Sequence, residues 1–225
     1  MKNGKLHVGI ILDGNRRFAK VQGLNNLKGH EHGAKVLEKL FDWVEDLDIG
    51  ELTLYCFSLE NFKRSEVEVT ALMKLFRRYF KKLSEDKRIF EKKVKINFVG
   101  DLQRFDSGLQ GLMVDIMEKT KSHENFIVNF CMGYGGRNEI VSAVKSCINN
   151  KEEISEENIK KNLGIRTEPD FIIRTGKQIR LSGFLTWQSI YSEWIFLDKF
   201  WPEFTKQDLR DCIKEFKSRK RNFGR

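Results

Sequence analysis

The amino-acid sequence predicts an α/β fold, a single domain with a mainly parallel central sheet flanked by helices. Short β-rich apolar runs recur along the chain, and longer segments with helical periodicity separate most of them. Such alternation is typical of parallel sheets. The chain has only two prolines and no Gly/Ser-rich or low-complexity stretch that would mark a linker. We therefore expect residues 1–225 to form one domain.

The predicted strands are short runs of apolar residues, many of them β-branched or aromatic. The first reads Leu-His-Val-Gly-Ile-Ile-Leu and leads directly into a polar turn. A run of this length between turn signals is consistent with a strand that is buried on both faces. The five predicted strands are 6–12, 52–57, 94–99, 127–132 and 171–173.

The predicted helices occupy the segments between these strands. In segment 34–47 the apolar residues fall on one stripe, which is typical of a helix that packs on a sheet. Ser65 and Glu68 form the Ser-x-x-Glu pattern of a capping box and predict a helix from there to residue 83. Four further helices are predicted at 108–119, 137–148, 155–163 and 206–217.

Polar clusters follow three of the predicted strands. In open α/β sheets ligands bind beyond the carboxyl ends of the strands, so these clusters are the candidate site. If the three strand ends are neighbours, they form one basin large enough for two phosphate-bearing ligands. The clusters comprise Asp13, Gly14, Asn15, Arg16 and Arg17 after the first strand, Ser58, Glu60, Asn61 and Arg64 after the second, and Arg174, Thr175, Gly176, Arg180 and Ser182 after the last.

The segment from Asp13 to Arg17 has the layout of a metal-diphosphate site. The Asp13 carboxylate can hold Mg²⁺, Gly14 allows the backbone close to a ligand, and the arginines offer forked donors that match phosphate oxygens. A charged surface turn is the alternative, because strand-to-helix turns also collect Asp, Gly and Asn for capping. This segment alone does not decide between the two.

Charge and cysteine content limit the possible partners and compartment. The chain has 41 Lys and Arg against 32 Asp and Glu, a net charge of +9, which suits nucleic acid, an anionic membrane or a polyanionic substrate. The four cysteines form no C-x-x-C pair, so neither a zinc site nor a disulfide framework is indicated, and a reducing cytosol is expected. No long apolar run predicts a signal peptide or membrane span.

Three further features have open interpretations. The segment 133–137, Gly-Tyr-Gly-Gly-Arg, is either an anion cradle at a helix start or a close strand-to-helix turn. His30 is more plausible as a diphosphate donor than as a zinc ligand. Phe62, Phe76 and Phe80 are either core residues or the lining of a slot for a long apolar substrate.

Taken together, several motifs in the same order along the chain resemble the cis-prenyltransferase family, which includes undecaprenyl and dehydrodolichyl diphosphate synthases. The resemblance spans residues 6 to about 204, and Arg16 after Asn15 resembles the archaeal and eukaryotic variant of the first motif. The motifs are His-Val-Gly-Ile-Ile-Leu-Asp-Gly-Asn-Arg-Arg-Phe-Ala at 7–19, Gly-His at 29–30, Leu-Tyr-Cys-Phe-Ser-Leu-Glu-Asn-Phe at 54–62, Tyr-Gly-Gly-Arg at 134–137, Arg-Thr-Gly at 174–176, Arg-Leu-Ser at 180–182 and Tyr-Ser-Glu at 191–193.

The resemblance implies a Mg²⁺-dependent enzyme that adds isopentenyl diphosphate to an allylic diphosphate, such as farnesyl or geranylgeranyl diphosphate, with a new cis double bond at each cycle. The Z-polyprenyl diphosphate product would be a precursor of a glycosyl-carrier lipid and would occupy an apolar tunnel. The family also implies a homodimer in the cytoplasm with peripheral membrane contact and no nucleic-acid partner. The sequence lacks the D-D-x-x-D motif of trans-prenyltransferases.

The same resemblance implies a role for each matching residue. Asp13 would anchor the metal and Glu193 would complete its environment, while Asn61 would assist ionisation and proton loss. The turn formed by Gly14 and Asn15, with Arg17 and His30, would hold the allylic diphosphate. Arg174, Arg180 and Ser182 would hold isopentenyl diphosphate, and Ser58, Phe62 and Arg64 would shape the junction. Arg16, Phe18 and Glu60 would be further substrate-binding residues.

The chain departs from the family pattern at three places. Asn26 stands where the family usually offers an arginine, residues 177–179 lack the usual acidic residue, and Asn222 stands in the C-terminal Arg-x-Gly motif, leaving Arg221 or Arg225 to supply charge across a dimer. A non-catalytic or partner-dependent subunit of a heteromeric cis-prenyltransferase is therefore one alternative. A basic nucleic-acid-binding module is the other, although no RRM, KH or zinc-finger pattern is found.

Overall fold

The computed structural model describes residues 5–220, Glu45 by its backbone alone. Within this range six strands pair in parallel throughout and form one sheet flanked by helices. The strands run β1 (Leu6–Ile11), β2 (Ile49–Ser58), β3 (Val94–Val99), β4 (Phe126–Tyr134), β5 (Phe171–Arg174) and β6 (Glu193–Phe196). The predicted α/β class with a mainly parallel sheet is confirmed.

The predicted strands are all present, and a sixth strand joins them. The first strand ends at Ile11, one residue earlier than expected, because the backbone N–H of Asp13 donates to the Ile11 carbonyl at 2.9 Å and begins a turn. The second begins at Ile49 rather than 52. The sixth, Glu193–Phe196, was not predicted, since four residues are too few to show a period.

The helices in the described range agree with the six predicted ones, apart from their ends, and add two short ones. Helix α2 (Asn26–Trp43) begins well before residue 34 because the Asn25 side chain accepts from Lys28 N at 3.0 Å and caps it. The unpredicted helices α1 (Asn15–Val21) and α4 (Lys87–Glu91) are too short to show helical periodicity. The helices are α1 (Asn15–Val21), α2 (Asn26–Trp43), α3 (Glu66–Glu85), α4 (Lys87–Glu91), α5 (Ser107–Thr120), α6 (Gly136–Asn149), α7 (Glu156–Asn162) and α8 (Lys206–Ser218).

The core lies on both faces of the sheet. Successive strand residues point to opposite faces, so Ile10 and Leu54 belong to the large apolar cluster, whereas their neighbours Ile11 and Tyr55 belong to a smaller cluster. Phe171 of β5 also joins the large cluster and stacks on Phe216 of α8 at 5.0 Å. Because both faces are covered, the central strands read as continuous apolar runs.

The order of the strands determines where the site lies. It is β3-β4-β2-β1-β5-β6, so β1 has β2 on one side and β5 on the other. Ile11 is in register with Tyr55 of β2 and with Arg174 of β5. This is a point where the order reverses, the place where ligands bind in open parallel sheets. The turns after β1, β2 and β5 therefore lie side by side.

No helix in residues 5–220 combines the length and apolar character needed to cross a bilayer.

Candidate active site

A cavity of about 1340 Å³ opens at the carboxyl edge of the sheet. It is lined by polar residues from all three predicted clusters and by His30 of α2, which confirms that the three strand ends form one basin. The predicted site residues that line it are Asp13, Gly14, Asn15, Arg16, Arg17, His30, Ser58, Glu60, Asn61, Arg64, Arg174, Arg180 and Ser182.

The Asp13 carboxylate lies between two arginines. Its Oδ1 accepts from Arg17 Nη2 and its Oδ2 accepts from Arg174 Nη2, each at 2.8 Å. Arg174 is only 4% exposed, whereas Asp13 and Arg17 are partly open to the cavity. Both oxygens therefore have charge-assisted partners, which strengthens each bond and fixes the carboxylate.

Each of these arginines also connects to the loop that follows β5. Arg17 Nη1 donates to the Gly176 carbonyl. Arg174 Nη1 donates to the Arg180 carbonyl and to the Ser182 hydroxyl, the latter at 2.7 Å. Arg174 Nε is buried and has no hydrogen-bond partner. A buried guanidinium N–H without a partner is uncommon and indicates a place where a ligand atom can accept.

The turn after Asp13 depends on a glycine. Gly14 has φ 107°, and a Cβ there would lie 2.8 Å from the Phe200 ring, so a side chain would be both strained and too close. The next residue, Asn15, is held by its Nδ2, which donates to the Leu12 carbonyl at 3.0 Å. Helix α1 then starts beside the cavity, and its first residues line the cavity wall.

Helices α1 and α2 approach closely because two glycines of α2 face α1. A Cβ on Gly29 or Gly33 would come within 2.1 Å of the Asn15 carbonyl or side-chain oxygen, respectively. This close packing places His30 at the cavity wall. His30 is mostly buried, and its Nε2 has no hydrogen-bond partner. Burial first, and then the nearby Arg64 and Arg16 guanidinium groups, lower the pKa of His30 to about 4.

The turn after β2 holds Ser58 and Asn61 in a reciprocal cap. The Ser58 N–H donates to Asn61 Oδ1 at 3.1 Å, and the Ser58 side chain caps the backbone of the short 3-10 helix Leu59–Lys63. The Asn61 carboxamide is thereby fixed at the cavity wall, with its N–H groups able to donate to a ligand. Glu60, in the same turn, is exposed.

A second charged cluster surrounds Glu68 in the first turn of α3. Its Oε1 lies 3.1 Å from Arg64 Nη1, 3.7 Å from Arg16 Nε and 3.8 Å from His30 Nε2. The Ser65 hydroxyl accepts from Glu68 N at 3.4 Å as predicted, but the Glu68 carboxylate does not return to cap Ser65. The predicted capping box is therefore only half formed, because ion pairing holds the carboxylate instead.

Beyond the charged groups the cavity is apolar. Its inner wall is formed by the buried face of α3 together with strand residues, and the rings of Phe76 and Phe80 stack at 5.8 Å. Phe80 also packs against Phe130, at 5.7 Å. Phe76 and Phe80 therefore line the predicted slot and belong to the core at the same time. The apolar lining includes Leu37, Cys56, Phe57, Leu72, Leu75, Phe76, Tyr79, Phe80 and Phe130.

Three predicted site residues do not line this cavity. The Phe18 ring packs on His32 at 5.4 Å. Phe62 packs edge-on against Phe57 at 4.8 Å, beneath the turn rather than in the slot. Glu193 accepts from Arg219 Nη1 at 2.7 Å on β6. In the single chain these three side chains pack outside the cavity.

The backbone register separates Glu193 from Asp13, the other predicted metal ligand. Glu193 is in register with Phe171, which pairs with Val8 at the amino end of the sheet. Ile11 lies three residues beyond Val8, about 10 Å along the strand at 3.3 Å per residue, and Asp13 comes after it. The two residues therefore lie near opposite ends of the sheet within one chain.

The segment 133–137 is a close strand-to-helix turn. The Gly136 N–H donates to the Gly183 carbonyl at 2.8 Å, and a Cβ on Gly136 would lie 2.3 Å from Thr186 Oγ1. The Tyr134 hydroxyl donates to Glu139 at 2.5 Å. The helix start is thus used for packing rather than for an anion.

The sequence did not reveal the role of one residue of the site, Glu68, and left the role of a second, Asn26, open. Glu68 was interpreted as a helix cap, and its cationic neighbours come from other elements, so only the fold reveals the cluster. Asn26, which replaces an expected arginine, does line the cavity, whereas Lys28 pairs with Glu31 at 2.9 Å. The predicted C-terminal charges at 221 and 225, with Asn222, lie outside the described residues.

Residues 11–224 match a family profile described as putative undecaprenyl diphosphate synthase. The chain is 42% identical to an isoprenyl transferase of Thermus thermophilus, over 97% of this chain and 88% of the relative. It is also 42% identical to a protein of Pyrococcus abyssi, over 97% of this chain and 86% of the relative. That protein is named tritrans,polycis-undecaprenyl-diphosphate synthase (geranylgeranyl-diphosphate specific).

Two solved structures have the same fold. A probable undecaprenyl diphosphate synthase from Campylobacter jejuni is 33% identical with a TM-score of 0.84, over 98% of this chain and 99% of that chain. Lavandulyl diphosphate synthase from Lavandula x intermedia, solved in complex with dimethylallyl diphosphate, is 26% identical with a TM-score of 0.92, over 100% of both chains. These relatives and structures are named as an isoprenyl transferase or as prenyl diphosphate synthases.

Proposed function

The chain belongs to the undecaprenyl diphosphate synthase family, the cis-prenyltransferases, and we propose that it condenses isopentenyl diphosphate with an allylic diphosphate to form a Z-polyprenyl diphosphate. The observation that carries this proposal is the pairing of a carboxylate with cations from two strand ends, directly above an apolar cavity. An allylic diphosphate has two parts, a charged diphosphate and an apolar chain. The site offers a matching surface to each part.

The two groups of cations suit two diphosphates. Arg17 and Arg174 surround Asp13, whereas Arg16 and Arg64 surround Glu68. Two diphosphates repel each other, so donors from separate elements are needed to hold both at reacting distance. Arg174 Nε and His30 Nε2, buried and without partners, are further groups that diphosphate oxygens could reach.

In the proposed reaction the allylic C–O bond breaks and its electron pair leaves with the diphosphate. The π electrons of isopentenyl diphosphate then form the new C–C bond, and a proton is lost to restore a double bond. Guanidinium donors that are already oriented stabilise the charge that develops on the leaving diphosphate. The apolar wall formed by Phe57, Leu72 and Phe76 excludes water from the allylic cation.

We assign roles to the remaining site residues within this scheme. Asn61, held by Ser58, would donate to the leaving diphosphate during ionisation and assist proton loss. Arg180 and Ser182 would bind isopentenyl diphosphate from the loop that Arg174 already holds. Gly14, Asn15 and Arg16, with His30, would receive the allylic diphosphate at the start of α1 and α2. Glu60 and Arg64 would shape the junction.

The residues fit a divalent cation that arrives with its substrate. Among residues 5–220 no group of three or more His, Cys, Asp and Glu side chains could hold a metal by itself. Mg²⁺ commonly takes one or two carboxylates and completes its shell with substrate phosphate oxygens and water. Asp13 would hold it in this way, and the ion would neutralise charge on the diphosphate. Glu193 would require a second chain to take part.

The finer properties of the enzyme are also proposals. The relatives named as geranylgeranyl-diphosphate specific make geranylgeranyl diphosphate the first allylic substrate to test, with farnesyl diphosphate as the alternative. We also propose, from the family resemblance, that the enzyme is a homodimer. A cytoplasmic enzyme in peripheral contact with membranes would suit a lipid product and a net charge of +9.

The decisive experiment incubates the purified protein with radiolabelled isopentenyl diphosphate, an allylic diphosphate and Mg²⁺ or EDTA, followed by chromatography of the extracted lipids. We expect Mg²⁺-dependent lipid products whose chain length can be read directly. Folded protein that yields no product with either allylic substrate would contradict the proposal and favour a partner-dependent subunit. Sedimentation velocity on the same sample tests the homodimer.

A further inference from the structure

The Glu68 carboxylate is the point at which three elements of the candidate site meet. Arg16 comes from α1, His30 from α2 and Arg64 from the segment that precedes α3, and each lies within 4 Å of Glu68 Oε1. All three line the cavity. Glu68 itself is only 14% exposed and is not among the residues that line the cavity. Glu68 therefore contacts these three side chains on the side that faces away from the cavity.

The three cationic or donor groups need an anion to remain together. Arg16 and Arg64 repel each other, and the charge of each disfavours protonation of its neighbours. Arg64 is three-quarters buried, and a buried charge that lacks a partner is costly. The Glu68 carboxylate is the ion-pair partner that both guanidinium groups share in the described structure.

Helix capping does not account for this position. A Glu at the third position of a helix usually returns to the N-cap backbone, but here the Glu68 side chain contacts Arg64 instead. Glu66 lies in the same first turn, is exposed and forms no ion pair in the described range. Both carboxylates lie in the first turn, where the helix dipole favours a negative charge. The contacts of Glu68 thus require an explanation beyond helix stability.

The surroundings indicate which ligand this cluster receives. Leu72 follows Glu68 by one helical turn, and Phe76 follows Leu72 by another, so all three share one face of α3. Leu72 and Phe76 line the apolar part of the cavity. A diphosphate held beside Arg16, Arg64 and His30 would direct its attached chain along this face. The substrate with the long apolar chain is the allylic one.

We propose that Glu68 is a positioning residue for the allylic diphosphate, which orients Arg16, Arg64 and His30 and does not itself contact the substrate. This inference rests on the proposed function for the identity of the ligand. The carboxylate keeps the two guanidinium groups close together and leaves their other N–H groups, with His30 Nε2, as donors to the diphosphate. Preorganised donors bind without the cost of ordering long side chains.

The sign of the effect of Glu68→Gln distinguishes this role from a purely electrostatic one. Removing a negative charge near a diphosphate would, by Coulomb attraction alone, strengthen binding. Loss of a positioning group would weaken binding, because the guanidinium groups would no longer be held in place. Glu66→Gln is the matched control, since it removes the same charge from the same helical turn without breaking an ion pair.

The test is calorimetric binding of farnesyl thiolodiphosphate, an unreactive allylic analogue, and of inorganic diphosphate. We expect Glu68→Gln to weaken binding of the allylic analogue about 10-fold, the loss of roughly one charge-assisted hydrogen bond. We expect its KM for isopentenyl diphosphate to stay within about two-fold of wild type, and Glu66→Gln to bind as wild type does. Circular dichroism and thermal melting check that each variant is folded.

A double-mutant cycle with Arg64→Ala tests whether Glu68 acts through that arginine. If it does, Glu68→Gln has little further effect when Arg64 is absent, so the two costs are not additive. Unchanged or tighter binding by Glu68→Gln, an equal loss in Glu66→Gln, or additive costs would each overturn the proposal. Binding of inorganic diphosphate tests the cluster even if wild type forms no lipid product, so the proposed function can fail separately.

Discussion

Asp13 and Arg174 join β1 to β5 through a hydrogen bond of 2.8 Å between Oδ2 and Nη2. Their strands are neighbours, and Ile11 is in register with Arg174. Arg174 is almost fully buried, so its charge depends on this carboxylate for compensation. The same carboxylate accepts from Arg17 through its other oxygen. Asp13 therefore balances cations from both sides of the place where the strand order reverses.

This arrangement predicts the behaviour of an Asp13→Asn variant, which keeps the shape of the side chain and removes its charge. We expect turnover to fall by about 10²–10³, the usual cost of losing one preorganised group, or more because a metal ligand is lost too. Steady-state kinetics over a range of Mg²⁺ concentrations measures the effect.

The matched control for Asp13→Asn is Asp115→Asn. Asp115 lies on α5 in an exposed ion pair with Lys119, and such pairs contribute little to stability. We expect this control to retain wild-type turnover and Mg²⁺ dependence. Turnover near the wild-type level in Asp13→Asn would refute the role assigned to Asp13.

The lowered pKa of His30 predicts a pH dependence of stability. The pKa is about 4 in the folded protein, because of burial and then Arg64 and Arg16, against an ordinary value of 6.5. Between these values the unfolded chain binds a proton that the folded chain does not, so stability rises with pH. The neutral His30 therefore contributes fully to the free energy of unfolding above about pH 6.5. This contribution, about 3 kcal/mol, is lost as the pH falls towards 4.

Urea denaturation between pH 4.5 and 7.5 measures this contribution. His30→Gln should flatten the rise in unfolding free energy with pH relative to wild type, because glutamine does not titrate. Histidine NMR signals identify the group directly. A His30 signal that titrates near pH 6.5 in the folded protein would contradict both the buried position and the predicted slope.

The turn at Gly14 predicts different outcomes for two glycine substitutions. Gly14 and Gly23 both have positive φ, 107° and 65°, but a Cβ on Gly14 would meet Phe200 at 2.8 Å, whereas one on Gly23 would meet nothing within 4 Å. Gly23→Ala should therefore cost only the backbone strain, about 1–2 kcal/mol. Gly14→Ala adds an overpacking cost of about 1–3 kcal/mol.

The turnover of these two glycine variants should differ as well. Gly14 adjoins Asp13, so a shift of the turn moves the carboxylate, and a displacement of about 1 Å can cost about 10²-fold in rate. We expect Gly14→Ala to lose turnover and Gly23→Ala to keep it. Equal unfolding free energies and equal turnover in the two variants would show that contact with Phe200 does not restrict the turn.

The sequence predicted the sheet and most of the site because these depend on local patterns. Strands such as 94–99 have clear boundaries in the sequence. The polar residues after β1, β2 and β5 are adjacent in any parallel sheet that places those strands together. The sequence could not assign Glu68, since a Ser-x-x-Glu pattern has the same appearance whether or not the carboxylate caps the helix. Two of its three partners, Arg16 and His30, come from distant segments.

Glu193 shows a second limit of prediction from sequence, because its position depends on strand register. The Tyr-Ser-Glu motif is present, but its place relative to Asp13 depends on the register between β5 and β6, which no local pattern reports. The strand that begins at Glu193 has four residues, too few to reveal itself by alternation. Register places Glu193 at the amino end of the sheet, where Arg219 pairs with it.

The apolar wall predicts a change in product length when Phe76 is shortened. Phe76 lines the cavity and is only partly buried, whereas its stacking partner Phe80 is 4% exposed and also packs on Phe98 and Phe130. Truncating Phe80 would remove core contacts at about 3–5 kcal/mol, so Phe76 is the better probe. Phe76→Ala should enlarge the cavity at a smaller cost in stability.

We expect Phe76→Ala to shift the products towards longer chains, because elongation stops when the growing chain fills the available space. Reversed-phase chromatography of the dephosphorylated lipids measures the distribution. Phe90→Ala is the control: Phe90 is 40% exposed on α4 and contacts His123 rather than the cavity. If Phe76→Ala gives wild-type chain lengths while remaining folded and active, then Phe76 does not limit elongation and the boundary lies deeper, at Phe80 and Phe130.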